Sequence, residues 1–102
     1  MKTSNPHNQL FSRRLKEVRL DMALSQKSLG ILAGIDEFAA SARINRYEKG
    51  VHQASIEVVR HLAKVLEVPV AYFYTEDDEL ASLVRLWPKL DSEKKKNILQ
   101  HL

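Results

Sequence analysis

Between Leu24 and Gly50 the chain gathers side chains suited to one kind of chemistry. Arg46 can present a guanidinium fork to guanine O6 and N7, Asn45 can pair its carboxamide with adenine N6 and N7, and Ala42 offers a methyl group to that of thymine. At 100° per residue Ala42, Asn45, Arg46 and Lys49 fall opposite Ile44 and Tyr47, with Ser41 near the leading end and Arg43 on a flank. Gln26 is a long neutral donor placed where a short helix would begin. Beside the free backbone N–H groups of such a helix it could grip a phosphate. The plain alternative for the same residues is a solvated polar face, and the choice depends on the elements that carry them.

Apolar spacing is helical almost throughout, with no sustained alternation and no internal repeat, so the chain reads as all-α. Phe11, Leu15, Val18 and Met22 predict a first helix over about 10–22, with Arg13, Lys16 and Glu17 facing away. Ser25 suits the N-cap of a short second helix carrying Leu29, Leu32 and Ala33, and Gly34 suits its left-handed end. A third helix ends near Gly50 with Ile44 and Tyr47 inward. Ser55 caps a fourth, whose Val59, Leu62, Ala63 and Leu66 form one stripe, and Pro69 opens a fifth helical segment, VAYFY. Leu80, Leu83, Val84, Trp87 and Leu90 then repeat at helical steps until Pro88 interrupts, and Asp91 or Ser92 caps a last helix holding Ile98, Leu99 and Leu102. The expected division is a flexible arm over 1–9, a compact domain of five helical segments over 10–75, and a helical extension over 76–102. That extension could dimerise, bind a partner protein or fold back as extra core.

The 102 residues carry a net charge of +3. The excess is uneven: residues 1–75 sum to +4 and residues 76–102 to −1. This suits a polyanion-binding surface in the first three quarters. With no cysteine there is no disulfide, thiolate zinc site or cysteine nucleophile, and the cytoplasm is the expected setting. Neither a membrane span nor the apolar stretch of a signal peptide is evident. His7, His52, His61 and His101 show no paired-ligand spacing, and neither a Walker loop nor a nucleophile elbow occurs, which excludes the usual enzyme classes. Glu76, Asp77, Asp78 and Glu79 lack the spaced ligands and glycine of a calcium loop and suit a helix N-terminus. Lys94, Lys95 and Lys96 read as a solvated face. No metal, cofactor or small-molecule substrate is expected.

The segments RLKEVRLDMALSQKSLGILAGI, ARINRYEKG and SIEVVRHLAKVLEVPVAYFY resemble the lambda-repressor-like helix-turn-helix domains of the Cro and C1 type, the XRE family of bacterial and phage regulators. The resemblance covers about residues 10–74 and rests on Leu24, Ser25, Gln26, Leu29, Ala33, Gly34, Ile44, Tyr47, Glu48, Gly50, Leu62 and Ala63 in order. It implies a sequence-specific regulator of transcription, a repressor binding a palindromic operator in double-stranded DNA as a homodimer. An antitoxin-like module, whose tail binds a protein partner and whose DNA binding is autoregulatory, is the alternative. By resemblance Ser41, Ala42, Asn45 and Arg46 face bases and Arg43 meets phosphate. Lys49 and His52 lie close enough in sequence to reach phosphate as well. Arg19 and Glu48, each near the apolar face of its helix, correspond to a half-buried structural salt bridge in the family.

Three departures stand out. Ten steps separate Gly34 from Ile44 where six are usual, so DEFAASAR holds about four extra residues, one helical turn. These either lengthen the loop, with Phe38 plugging the core, or extend the recognition helix from an Asp36 cap. Ala23 stands where glycine is common and Ala54 where proline is.

Overall fold

The computed structural model describes residues 6–102; the first five positions of the expected arm lie outside the described residues. Helix α1 spans Pro6–Asp21, α2 Gln26–Leu32, α3 Glu37–Glu48 and α4 Ile56–Leu66. A 3₁₀ segment, Val70–Tyr74, leads to α5 (Asp78–Leu86), a 3₁₀ turn (Trp87–Lys89) and α6 (Ser92–Gln100). No strand occurs among the described residues, and the fold is all-α. α1 starts four residues before the expected Leu10, because Pro6 loses nothing in a first turn whose N–H groups lack helical partners anyway. Pro69 lies just before the VAYFY segment rather than inside it, in extended conformation.

Local chemistry sets both ends of these helices. Side-chain oxygens of Ser25, Asp36, Ser55, Asp77 and Asp91 accept from the backbone N–H two or three residues on, capping α2 to α6. Each such cap is worth about 1 kcal/mol. Four helices close with a residue in the left-handed region: Ala23 (φ 55°), Gly34 (φ 92°), Gly50 (φ 73°) and Glu67 (φ 58°). After each, an apolar residue sends its N–H back five positions: Leu24 to Arg19, Ile35 to Gly30, Val51 to Arg46 and Val68 to Ala63. These are Schellman turns, natural at the two glycines and strained at the other two.

Phe11, Leu15 and Val18 of α1, Leu29 of α2, Ile44 of α3 and Val59, Leu62 and Leu66 of α4 enclose the core around the fully buried Phe73. The Phe11 and Phe73 rings lie 5.2 Å apart in a tilted pair. α5 adds Ala81, which is buried, and half-buried Val84. It is tied to α1 by Arg85 to Asp21 at 2.7 Å and by Asp78 to Arg13 and Arg14 at 3.2 and 3.0 Å. Arg14 itself is buried: its guanidinium donates to the Thr75 carbonyl at 2.6 Å and the Glu76 carbonyl at 3.3 Å, with the Tyr72 ring 5.5 Å away. No residue of α6 is buried. The molecule measures 47 × 29 × 22 Å, and its radius of gyration, 14.8 Å, exceeds the ~13 Å of a compact chain this long.

Candidate nucleic-acid interface

The expected site residues sit on α2 and α3, two helices joined by the turn at Gly34 and packed unusually closely. At Gly30 a Cβ would stand 2.7 Å from the Ala40 Cβ and 3.0 Å from its backbone, so only glycine lets the helices approach this near. Ser12 of α1 donates to the Tyr47 carbonyl at 2.5 Å and holds the far end of α3.

Behind the outer face runs a hydrogen-bonded chain. Arg19 Nε and Nη2 donate to the two carboxylate oxygens of Glu48 at 2.6 and 3.0 Å, and Nη1 donates to the Leu24 carbonyl at 2.8 Å. The side chains of this pair are only 9% and 3% exposed, and the fork satisfies both carboxylate oxygens at once. Gln26 Nε2 donates to Glu48 Oε1 at 3.0 Å and to Asn45 Oδ1 at 3.2 Å. Both hydrogens of the Gln26 amide are thus used within the protein, which differs from the free phosphate donor expected at this position. The backbone N–H groups at the start of α2 have no helical partners, and of these the Ser25 cap takes Ser28 N–H.

On α3 the structure brings the remaining expected residues to one side. Ser41, Ala42, Arg43, Arg46 and Lys49 are exposed and Asn45 is half-buried, while Ala40, Ile44 and Tyr47 face the core. Arg43, Arg46 and Lys49 form no ion pair among the described residues, whereas Arg13, Arg14, Arg19 and Arg85 all do. Arg43, Arg46 and Lys49 thus leave positive charge unpaired along α3, as Lys16, Lys27, Arg60 and Lys64 do elsewhere among the described residues. His52, also exposed, lies just beyond its end.

The extra turn lengthens α3 and leaves the loop short. Asp36 caps the helix by accepting from Phe38 N–H at 3.1 Å, and Phe38 is 92% exposed, so the core plug expected of it in the other arrangement does not form. The core beneath is already filled by Ala40 and Ile44.

Sequence reasoning passed over Gly30, Ser12 and Arg14. Gly30 is the one glycine not at a helix end, which is itself a signal of close approach. Arg14 lies three residues after Phe11 and four before Val18, on the apolar stripe of α1, where a solvated arginine is out of place.

Among the described residues no group of His, Asp and Glu could hold a metal ion, and no helix is long and apolar enough to cross a membrane.

No protein-family model matches the chain. It is 29% identical over 96 residues to the cryptic phage CTXphi transcriptional repressor RstR of Vibrio cholerae, covering 87% of this chain and 81% of that protein. The crystal structure of the transcriptional regulator BswR superposes with a TM-score of 0.82 at 44% identity, covering 88% of this chain and 89% of that one. With that much sequence shared over nearly the full length, the all-helical architecture and the α2–α3 arrangement are common property, and the chain belongs to the family of transcriptional regulators that includes BswR.

Proposed function

We propose that the protein is a sequence-specific repressor of transcription with a lambda-repressor-like helix-turn-helix, acting in the cytoplasm and binding a palindromic operator in double-stranded DNA as a homodimer. The observation that carries this reading is the outer face of α3: exposed, polar, positively charged and unpaired, on a helix held rigidly by the Arg19–Glu48 pair and the Gly30 contact. In this reading α3 enters the major groove. Arg46 reads guanine and Asn45 reads adenine, with Ser41 and Ala42 beside them, while Arg43 and Lys49 meet phosphates. Gln26 holds the Asn45 carboxamide in place and leaves its Nδ2 hydrogens and one Oδ1 lone pair for adenine N7 and N6. Phosphate contact at the start of α2 then falls to its backbone N–H groups.

Homodimerisation is supported by the tail. Leu80, Leu83 and Leu86 on α5, Leu99 on α6 and Leu102 two residues beyond it are exposed, where an isolated chain gains nothing from apolar side chains. The antitoxin-like alternative uses the same leucines to bind a different protein.

The test is selection of bound duplexes from a random pool with the full-length protein, alongside a mass measurement in solution. Enrichment of a palindrome by a dimer is the expected result. A monomer that enriches no sequence would remove this reading in favour of partner binding. If a dimer neutralises about six phosphates, the log–log dependence of affinity on salt has a slope near −5.

A further inference from the structure

Phe38 is 92% exposed, yet it is not in a frayed end, because its N–H is fixed by the Asp36 cap at 3.1 Å. Phe38, Ala42, Asn45 and Lys49 succeed one another at steps of four, three and four residues, which lays them along a single line of the helix, opposite Ala40, Ile44 and Tyr47. The line that carries the proposed base contacts therefore begins one turn earlier than those contacts, with an aromatic ring.

From this placement we infer that Phe38 is a specificity-determining residue that packs its ring against the C5-methyl group of a thymine, beyond the base pair met by Ala42. The inference rests on the DNA-binding reading above. Along the helix axis Phe38 lies about 6 Å from Ala42 and about 10 Å from Asn45, distances that span roughly two and three base pairs. In the major groove the thymine methyl is the apolar feature a phenyl ring can meet; the other groups on the base edges are hydrogen-bond donors and acceptors. Charge at this end of α3 points the same way. Asp36 and Glu37 immediately precede Phe38 and disfavour a phosphate beside it, which leaves the ring suited to an apolar contact. The extra turn between Gly34 and Ile44 thereby gains a purpose: it lengthens the reading line by one contact.

The experiment uses the duplex enriched by the full-length protein, resynthesised with deoxyuridine in place of thymine one position at a time, so that only a methyl group is removed. Wild-type protein should lose about fourfold in affinity at the position Phe38 meets in each half-site, the worth of burying one methyl group. Phe38→Ala should bind the parent duplex about tenfold more weakly, be indifferent to deoxyuridine at that position, and unfold thermally like the wild type because the ring is exposed. Phe38→Leu should keep part of the methyl sensitivity. Undiminished sensitivity in Phe38→Ala, or an unchanged affinity for the parent duplex, would overturn the inference while leaving the DNA reading intact. A change in solution mass with unchanged DNA affinity would assign the ring to a protein contact and overturn it equally. Failure of the wild type to enrich any duplex would remove the DNA reading and this inference together.

Discussion

Arg19 serves three acceptors at once, the two Glu48 oxygens and the Leu24 carbonyl, and so joins α1, the strained turn at Ala23 and the end of α3. Truncating it leaves the Glu48 carboxylate, 3% exposed, with only the Gln26 amide for company. Arg19→Ala should therefore destabilise the fold by about 3–5 kcal/mol, read from urea unfolding, and weaken binding to every duplex alike. An unfolding midpoint equal to that of the wild type would show that the pair holds nothing. Arg43 and Arg46, three residues apart, should behave differently from Arg19 and from each other. Arg46→Ala should cost about 1–3 kcal/mol on the selected site and relax preference at one base pair per half-site, whereas Arg43→Ala should weaken all sequences by a similar factor. The measurement is affinity for the selected duplex and its single-base variants at fixed salt. If Arg46→Ala preserves the ranking of sites, the groove-facing line of α3 has been drawn on the wrong side.

Among the elements, α2 and α3 depend on a missing atom. Gly30→Ala would gain close to 1 kcal/mol in helix propensity, yet its methyl must displace Ala40, whose Cβ and backbone both stand in the way. Overpacking should prevail, with a net loss of about 1–3 kcal/mol in thermal or denaturant unfolding. A stabilised Gly30→Ala would mean that the two helices can separate freely. This contact also shows where the sequence was and was not legible. Caps and apolar stripes announce themselves locally, and Ser25, Ser55 and the Val59, Leu62, Ala63 and Leu66 stripe stand where their spacing placed them. What Gly30 meets depends on a residue ten positions away on another helix, which no local pattern encodes. The same holds for Phe38, since an apolar residue near a helix start reads equally as core or as surface. Only the Asp36 cap, by fixing the start of the helix, decides between them. Gln26 was legible as a polar residue at the start of α2, but not as the partner of Asn45 and Glu48, because its rotamer is chosen by α3.

Taken as a whole the molecule is a body and a tail fastened by charge. The neighbouring Arg13 and Arg14 side chains hold the Asp78 carboxyl below its ordinary value near 3.8, chiefly through their hydrogen bonds to it. A carboxylate whose folded-state pKa is depressed contributes its stabilisation above the unfolded value and loses it as the pH falls through the lower, folded one. Asp78→Asn should thus be less stable than the wild type at neutral pH, and the gap should close in acid below the ordinary carboxylate range, as followed by thermal midpoints at a series of pH values. A gap that stays constant with pH would detach Asp78 from this role. The charge change near residue 76 is legible in the sequence, but the fastening across it is not. Its arginine comes from the first helix and its acceptors from the last third, sixty residues on.

That fastening bears on how portable the two parts are. Arg14 finds its acceptors in the carbonyls of Thr75 and Glu76 and in Asp78, residues that by position belong to the connection between body and tail. A fragment ending at Tyr74 would keep the guanidinium while losing every oxygen that receives it, and would also lose Ala81 from the core. A chimera that exchanged tails between relatives would meet the same difficulty unless the graft began beyond α5, because Arg85 also reaches back to Asp21. The unit that can be moved or inherited intact is therefore the body together with α5, and the freely exchangeable part starts beyond Leu86.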